Sequence, residues 1–494
     1  MNQKTIPAEP VTTIDYTAGK GVPVKYFLEP DLMPGEEAIA PLRELSRLPG
    51  VSDYIVALPD LHQKGRNLVP TGLVTVARNY IIPFAVDKGI NCGIRIMALP
   101  LTADDMNEEK IDAFYRQVMR MVPGDRHPHR FLHKDEVKSI LLHGAEWMIR
   151  NYDVPESDLE NIEKHGNMFR DWRFPREKIL RAIPYDALKK GRRALGVLGG
   201  GNHFLELQKI TRIVEPDIAR QLGLKENQLI LMMHAGTGGL GGSVMKFFHR
   251  VPRSNGRDER QEFFWEKVKF LSFWPWDVHR RRWFRAPHLY AIPSQSATAR
   301  HFIMAINAVA NFGFANRMMI AYWAEKAMQQ VFRDDELKFR LLYDSSHVTI
   351  QAEEHFGKLY WVHRNGANQA MPASRMANHP VYRYTGQPIP IPGSMGTDSY
   401  IAVAAEGALQ TFCSTNHGAG RLMDKPEARR SFREDQVVYS MEERGIRLYR
   451  YGKTPITDQA PEAFKNIDLV VEAMRKYRLA TPVARVRPLA TLKG

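Results

Sequence analysis

Cysteine is almost absent from this chain, which has Cys92 and Cys413 as its two cysteines in 494 residues. So few cysteines exclude a disulfide framework and favour reduced thiols. No apolar run approaches the roughly 20 residues that a membrane-spanning helix needs. The polar N-terminal stretch also lacks the apolar core of a signal peptide. We therefore expect a cytoplasmic protein with no membrane partner.

The composition is that of an ordinary globular protein, with 44% hydrophobic and 25% charged residues. This supplies enough apolar side chains for a large buried core. No low-complexity linker interrupts the sequence. We therefore expect a single domain over residues 1–494, although the length alone would allow two or three.

Positive charge predominates, with a formal net charge of +14 and a sequence pI near 9.6. An excess of this size favours a polyanionic partner, because basic side chains that neutralise phosphates release counterions. A basic protein with no nucleic-acid role would have the same composition. Charge alone therefore leaves both interpretations open.

Helical and strand patterns alternate along the sequence. Apolar residues spaced among charges predict helices at 102–122 and 137–151, and further helices are predicted at 300–332 and 466–478. Strands are predicted on both sides of a glycine turn within 195–208, at the start of 228–242 before a glycine loop, and at 338–347 and 358–364. This mixture predicts an α+β (mixed α/β) fold.

One segment, residues 245–290, differs from the rest because it mixes basic side chains with aromatics and holds four of the eight tryptophans. Arginines next to aromatic faces suit single-stranded nucleic acid, through phosphate pairing and base stacking. A helical excursion whose aromatics form its packing face would have the same composition, and both interpretations remain open.

Glycines and histidines fall together at three places, namely His203 in GGGNH, His234 in HAGTGG and His417 in HGAGR. Glycine lets the backbone approach a ligand and expose N–H groups to phosphate. Histidine supplies a metal ligand, a proton or a nucleophile. With Cys92 in GINCG and His347 after YDSS, the pattern indicates a site for zinc, or for manganese with oxygen ligands.

At these residues the sequence resembles the RtcB family of GTP-dependent RNA ligases. The matching segments occur in order over most of the chain: PDLH (59–62), GINCGIR (89–95), LGGGNHFLEL (198–207), HAGTGGLG (234–241), ANFGFANR (310–317), EEH with WVHRNGA (353–367), IPGSMGTDSY (391–400), HGAGR (417–421), and DQAPEAFKNID with VARVRPLATLKG (458–494). The resemblance implies a fold built around a central cleft for metal and nucleotide.

The resemblance also implies an activity. Such ligases join an RNA 3′-phosphate or 2′,3′-cyclic phosphate end to a 5′-hydroxyl end, in RNA repair or tRNA splicing. They pass through a histidine–GMP intermediate, with two manganese ions near the phosphates of GTP. RNA with such ends, Mn²⁺ and GTP are therefore the expected partner and cofactors.

Residue by residue, the family's guanylylated histidine matches His417, whose neutral imidazole can attack the α-phosphorus of GTP. The implied metal ligands are Cys92, His203, His234 and His347. The implied guanylate-contacting positions are Asn202, His203, Phe204, Leu205, Glu206, His347, Val348, Pro392, Gly393, Ser394, Met395, Ser399, His417, Gly418, Ala419, Gly420 and Lys493. The Glu206 carboxylate is suited to accept N–H groups from a guanine edge. Lys493 would reach the base or a phosphate, or would be an ordinary solvated tail lysine.

The chain departs from the family pattern at several positions of this site. Gly89 stands where the family has an aspartate three residues before the metal cysteine, and Asp87 would substitute only after a rearrangement of the loop. Without a carboxylate there, one of the two metal sites should bind more weakly. The other departures are Gly238 for an arginine, Val348 for an asparagine, Asn365 for a lysine, Asn416 for a cysteine and Phe464 for a tyrosine. These changes predict a divergent paralogue that binds one or two ions.

Two other functions remain open beside ligation. A metal-dependent phosphoesterase acting on RNA ends would keep the metal ligands but would not guanylylate His417. An RNA-binding or RNA-sensing protein on a degenerate ligase scaffold would explain the changes at Gly89, Gly238 and Val348, together with the basic aromatic segment.

Overall fold

The computed structural model describes residues 21–65, 67–124, 131–172, 174–248, 289–452 and 454–494, together with a short strand at 13–14. Its mixture of helices and strands confirms the predicted α+β class. Most of the basic aromatic segment 245–290 lies outside the described residues, so its predicted role in binding nucleic acid stays a prediction. No helix among the described residues offers the apolar length that crossing a bilayer requires.

The strands, in chain order, are β1 (Thr13–Ile14), β2 (Val24–Tyr26), β3 (Ile55–His62), β4 (Thr71–Ala77), β5 (Tyr80–Ile81), β6 (Gly93–Thr102), β7 (Phe204–Ile213), β8 (Gln228–Ala235), β9 (Ile292–Pro293), β10 (Arg340–Ser346), β11 (Val348–His355), β12 (Lys358–Asn365), β13 (Ala367–Gln369), β14 (Pro388–Ile391), β15 (Ser399–Ala404), β16 (Ser414–Asn416), β17 (Arg447–Arg450) and β18 (Ala480–Lys493).

The α-helices are α1 (Glu36–Leu45), α2 (Glu108–Met121), α3 (Lys134–His143), α4 (Ala145–Asn151), α5 (Arg176–Ala182), α6 (Tyr185–Gly191), α7 (Pro216–Gln221), α8 (Leu240–Phe248), α9 (Ala297–Phe332), α10 (Lys425–Ser431), α11 (Glu434–Glu443) and α12 (Ile467–Lys476).

The larger of two main sheets has the strand order β10-β6-β8-β7-β18-β15-β14, and β17 also pairs with β18. Its neighbours on this path are antiparallel, whereas β17 runs parallel to β18. The 14-residue β18 pairs with three other strands, and its partners along β7 include the Glu206–Thr491 and Phe204–Lys493 pairs. The last residues of the chain therefore lie in the middle of a sheet, beside β7.

The second main sheet has six strands in the order β1-β2-β3-β4-β12-β11. Its strands β3 and β4 are buried along their whole length. Two short pairs, β13 with β16 and β5 with β9, complete the strand pairing of the described residues. The β13–β16 pair brings Asn416, and with it the following His417, next to the end of β12.

The long helix α9 packs against α2, α3, α4, α5 and α8 and against strand β8. It begins at the cap Ser296, whose Oγ accepts a hydrogen bond from the backbone N–H of Ala299 at 3.1 Å. Most of its residues are buried, because small residues in its middle allow close approach of its neighbours. A helix that is apolar all round belongs in a protein core.

A fully buried set of charges connects α9 to the larger sheet. The Arg317 Nε donates to Asp344 Oδ1 at 2.7 Å, and the Arg95 guanidinium donates to Asp344 Oδ2 at 3.2 Å. Arg317 also donates to the backbone carbonyls of Asn91, at 2.8 Å, and Ala235, at 3.2 Å. Helix α9, strand β10, strand β6 with the residues just before it, and the end of strand β8 are thereby held together.

Most predicted elements are confirmed, with three differences. Residues 195–203 form turns rather than the predicted first strand. The predicted helix at 137–151 is divided into α3 and α4 at Gly144, whose φ of +56° places it in the left-handed region. The C-terminal residues form β18, although the sequence pattern predicted a helix as the last element. Strand β18 forms because it pairs with strands that are far away in the sequence, and such pairing leaves no signal in the local periodicity of its own residues.

Replacing Arg317 with methionine should destabilise the protein strongly. The substitution leaves Asp344 with one guanidinium partner instead of two, in a site with no access to water. Removing one partner of a buried ion pair costs about 3 kcal/mol or more. Urea denaturation followed by circular dichroism measures the free energy of unfolding.

The matched control is Arg433→Met, which removes an exposed pair with Asp435. Exposed pairs contribute about 1 kcal/mol or less. Equal losses in the two variants would contradict a structural role of the buried set.

Candidate functional site

The candidate site forms where strand ends and the loops beside them converge. Cys92 directly precedes β6, His203 directly precedes β7, and His234 is the penultimate residue of β8. The register pairs His234 with Ile94 on one side and with Phe204 on the other. Residues separated by more than a hundred positions are therefore brought together by the pairing of three neighbouring strands.

Cys92, His203 and His234 form a candidate metal group. Their ligand atoms all lie within 4.8 Å of one another, and the Cys92 Sγ is 3.6 Å from the His203 Nε2. The His234 Nδ1–H donates to the backbone carbonyl of Asn202 at 3.2 Å. That bond fixes the ring orientation and leaves the Nε2 lone pair free, as a carbonyl partner does for metal-ligating histidines.

The fourth predicted ligand, His347, lies beside this group. Its ring centroid is 5.0 Å from that of His234 and 4.8 Å from that of His417. The backbone N–H of His347 donates to the carbonyl of Cys92 at 3.0 Å, which ties the two loops together. The imidazoles thus form a continuous row from the metal group to His417.

The residues present fit a divalent metal. Among the described residues, the buried His234 Nε2 and His347 Nδ1 have no hydrogen-bond partner, which is costly unless another ligand satisfies them. Burial lowers the pKa of His203 to about 4 and that of His234 well below its usual value, so both rings are neutral at pH 7. Neutral imidazoles with one cysteine sulfur suit zinc or another transition metal.

His417 is held by Asp60, a residue near the end of β3. The Asp60 Oδ2 accepts hydrogen bonds from the His417 Nδ1–H at 2.5 Å and from its backbone N–H at 3.0 Å. The Asp60 side chain is fully buried, and that of His417 is 17% exposed. The carboxylate fixes the tautomer and leaves the Nε2 lone pair available on the side of the ring that lines a pocket.

This central pocket has about 820 Å³ of space free of atoms, its open mouth included. Its walls come from β3, β7, β18 and the HGAGR and IPGSMG loops, and its lining includes Asn202, Phe204, Glu206, His234, Pro392, Gly393, Ser394, Met395, His417, Gly418, Ala419, Gly420 and Lys493. Most of the residues that sequence comparison assigned to a nucleotide therefore surround one pocket.

One end of the pocket holds a buried pair of opposite charges. The Glu206 carboxylate accepts hydrogen bonds from Gln208, at 2.8 Å, and from the Thr491 hydroxyl, at 3.0 Å. The Lys493 ammonium lies 5.4 Å from the centroid of the Phe204 ring. Burial raises the pKa of Glu206 and lowers that of Lys493, and the attraction between the two groups opposes both shifts. Lys493 is 4% exposed and is not a solvated tail lysine.

Other predicted positions lie away from the pocket wall. The side chains of Leu205 and Val348 pack in the hydrophobic core and do not line the pocket, and their predicted contact with a nucleotide stays a prediction. Strand alternation explains Leu205, because its neighbours Phe204 and Glu206 face the pocket. Ser399 does not line the pocket, but its hydroxyl accepts a hydrogen bond from the backbone N–H of Gly393, a lining residue, at 3.0 Å.

The positions that depart from the family pattern have defined surroundings. Gly238 has a φ of +57°, and a Cβ there would lie 2.4 Å from the Ala194 Cβ, so no side chain fits. Phe464 lines the pocket and stacks on Arg421, with the guanidinium carbon 4.7 Å from the ring centroid. The Asp87 carboxylate pairs with Lys64 at 2.8 Å and is not in the metal group.

Sequence reasoning gave no role to several residues that the structure places at the pocket. Asp60 and His62 belong to the PDLH segment, which was matched only as a motif. Lys64, Arg421, Lys425 and Gln459 also line the pocket. A signal that could have indicated Asp60 is that it is the carboxylate of the PDLH motif, and that this motif is shared with a family whose key residue is a histidine.

The fold and the site define a protein whose strand ends hold a candidate metal group beside a histidine–aspartate pair in a deep pocket. The chain belongs to the RtcB family, because the family model described as tRNA-splicing ligase RtcB matches residues 41–494. This match confirms the family predicted from the ordered motifs.

Curated relatives agree with this assignment. The chain is 32% identical over 487 residues to the tRNA-splicing ligase RtcB of Thermococcus kodakarensis, covering 96% of this chain and 95% of that protein. The protein of the same name from Nanoarchaeum equitans is also 32% identical, with the same coverage. The one from Pyrococcus abyssi is 34% identical over 90% of this chain, which spans 46% of that longer protein.

Cobalt provides a spectroscopic test of the metal group. Titration of the metal-free protein with Co²⁺ should produce a near-ultraviolet thiolate-to-cobalt absorption band, because sulfur ligation gives such a transition. Cys92→Ala should abolish the band. The matched control is Cys413→Ala, which removes the other cysteine, a fully buried residue outside the pocket lining. A band that survives in Cys92→Ala but is lost in Cys413→Ala would contradict the assignment.

Proposed function

We propose that this protein is an RNA ligase that joins RNA 3′-phosphate or 2′,3′-cyclic phosphate ends to 5′-hydroxyl ends, with GTP and Mn²⁺ and through a histidine–GMP intermediate. The observation that carries the proposal is the His417–Asp60 pair, set next to the metal group at the base of the central pocket. Its family membership and the names of its relatives support ligation as the reaction class.

His417 has the properties that a nucleotidyl acceptor needs. Asp60 holds the Nδ1–H, so that the Nε2 carries the lone pair that attacks phosphorus. A bond forms between the Nε2 and the α-phosphorus of GTP, the bond from that phosphorus to the bridging oxygen breaks, and pyrophosphate leaves with the electron pair. Asp60 stabilises the positive charge that develops on the ring, as a carboxylate does for a catalytic histidine.

The metal group would be the binding site of the divalent ion. Cys92, His203 and His234 would hold it, with His347 beside them. A bound ion offsets the negative charge of the phosphates and of the leaving pyrophosphate. The buried, neutral histidines keep their lone pairs free for it at pH 7.

The part of the pocket around Glu206 is suited to guanine. The Glu206 carboxylate is placed to accept N–H groups from the edge of the base, and Phe204 offers a ring beside it. Adenine lacks the pair of adjacent N–H donors that guanine presents at its N1 and N2. A buried acceptor left without a partner is costly, so this end of the pocket favours GTP over ATP.

Positive side chains at the pocket support an RNA substrate. Lys64, Arg421 and Lys425 line the same pocket as His417. Their charges are placed to pair with the phosphates of the nucleotide and of an RNA end. The net charge of +14 agrees with a polyanionic substrate.

Incubation of the metal-free protein with GTP labelled at the α-phosphate and with Mn²⁺ should produce covalently labelled protein, and His417→Ala should reduce the label to background. The acid lability of the label, with stability in base, identifies a bond to histidine nitrogen. The control is His143→Ala, whose side chain is 21% exposed, close to the 17% of His417, and lies outside the pocket lining.

Three outcomes distinguish the candidate functions. Label on the wild-type protein together with joining of RNA ends supports ligation. Release of phosphate from RNA ends without nucleotide, preserved in His417→Ala, would identify a phosphoesterase instead. Tight RNA binding with neither label nor turnover would identify a binding protein on a ligase scaffold.

The variant Glu206→Gln tests base selection. It keeps the volume of the side chain but removes the charged acceptor, which should cost roughly 1.5 kcal/mol, or about tenfold in apparent GTP affinity. ATP does not use the acceptor in the same way, so labelling with ATP should change much less. Competition of labelled GTP with unlabelled GTP or ATP measures the ratio. An equal change for both nucleotides would contradict the role of Glu206 in reading the base.

A further inference from the structure

The sulfur of Cys92 has neighbours of two kinds. The imidazoles of His203 and His234 complete the metal group with it. Gly89, which has no side chain, is also close to the sulfur, since a Cβ built there would lie 3.2 Å from the Cys92 Sγ. Gly89 is outside the left-handed region, so its backbone conformation is one that other residues adopt. The sequence supplies no carboxylate at that point.

A lysine supplies positive charge near the metal group. The Lys64 ammonium pairs with the Asp87 carboxylate at 2.8 Å and lines the central pocket with His417. His234 of the metal group lines the same pocket. Lys64 is therefore a positively charged neighbour of the metal group.

The position of Lys64 is fixed because its ion-pair partner, Asp87, is itself held by further hydrogen bonds. The Oδ1 of Asp87 accepts a hydrogen bond from the backbone N–H of Lys88 at 2.6 Å, while the Oδ2 pairs with Lys64. The backbone N–H of Asp87 donates to the Asn365 Oδ1 at 2.8 Å. Both carboxylate oxygens are thus engaged, and Asp87 holds an ammonium rather than a metal.

The charge states make this pair permanent at neutral pH. Burial alone would lower the pKa of Lys64, but Asp87 outweighs it and the pKa is raised. Burial alone would raise the pKa of Asp87, but Lys64 outweighs it and the pKa is lowered. The Lys64 side chain is 43% exposed and lines the pocket, so a phosphate that enters the pocket can reach its ammonium.

We propose that the Lys64 ammonium, held by Asp87 in the pocket that His234 and His417 also line, serves as a fixed cation beside a one-metal centre and binds the phosphates of the nucleotide there. Among the described residues, the group of Cys92, His203 and His234 is where a divalent ion is held, and the lysine provides the second positive charge. This inference rests on the proposed function, because it assumes a nucleotide in the central pocket.

Metal stoichiometry tests the first half of the inference. Equilibrium dialysis with Mn²⁺ followed by elemental analysis should give one ion per wild-type chain, and electron paramagnetic resonance should show the six-line spectrum of an isolated Mn²⁺. The double variant Lys64→Gly/Gly89→Asp removes the ammonium and adds the carboxylate. It should bind a second ion and show an exchange-coupled spectrum.

The phosphate-binding half is tested with inorganic tripolyphosphate as the probe, titrated into the Mn²⁺-loaded protein by calorimetry. Lys64→Met should weaken binding about tenfold, as loss of a charge-assisted contact does, without changing the Mn²⁺ stoichiometry. The matched control is Lys338→Met. Lys338 is also 43% exposed and also pairs with a carboxylate, at 3.0 Å from Asp153, but lies outside the pocket lining.

Two coupled ions in the wild-type protein would overturn the inference, and so would equal tripolyphosphate affinity in Lys64→Met and the wild type. Neither the metal stoichiometry nor the tripolyphosphate affinity depends on guanylylation, so these results are independent of the outcome of the labelling experiment. One ion and a lysine-dependent tripolyphosphate affinity without label on His417 would keep the fixed cation and reject the ligation chemistry.

Discussion

The buried contact between Arg317 and Asp344 holds the candidate site in place. Arg317 belongs to the long helix α9, and its guanidinium reaches Asp344 on β10 and the carbonyl groups beside Cys92 and His234. The preceding residue, Asn316, bonds to the backbone of Gly196, Val197 and Gly236, which belong to the loops before His203 and after His234. Two adjacent residues of one helix thus fix the loops that carry all three residues of the metal group. Because a buried charge without its partners is costly, these loops cannot shift independently.

The rigidity of this frame matters because the site depends on burial for its chemistry. The imidazoles of His203, His234 and His347 stay neutral at pH 7 because charged rings would lose their hydration. Neutral rings bind a metal, whereas protonated rings repel it. His417 has a different environment, since it is partly exposed and Asp60 supports a positive charge on it. In the proposed function, the same row of histidines provides metal ligands at one end and a nucleophile at the other.

Much of the fold was predictable from the sequence where the residues of a single helix or strand form a recognisable apolar pattern by themselves. Helix α9 and strands β8, β10 and β12 follow from apolar periodicity, and the ordered motifs predicted the family. The strand β18 was not predictable from its own residues, since its 14 residues are stabilised by pairing with β7, β15 and β17. The break at Gly144 was missed because the helical pattern continues across it, and only the left-handed backbone divides the two helices.

The candidate site was predictable to a different extent. The sequence motifs identified Cys92, the histidines and most pocket residues as candidate site residues, because glycine next to histidine is an unusual local pattern. They assigned no role to Asp60, since the requirement for a carboxylate appears only when the Nδ1 of His417 is seen to face it. They also included Leu205, which lies between two pocket residues in sequence but on the other face of β7. A sequence match assigns segments, whereas strand geometry decides which side chains of a segment face the ligand.

One departure from the family pattern, Asn365, is connected to the Asp87–Lys64 pair at the pocket. Asn365, at a position where the family has a lysine, accepts the backbone N–H of Asp87 and donates to the carbonyl of Pro70. Asp87 in turn holds Lys64, which lines the pocket with His417. A lysine at position 365 would bring a second cation to Asp87, which already has one. Random loss of function would leave contacts unsatisfied, whereas Asn365, Asp87 and Lys64 form a set with matched charges and satisfied hydrogen bonds. Such mutual satisfaction at a pocket that retains its histidines favours a site adapted to a modified chemistry over a site in decay.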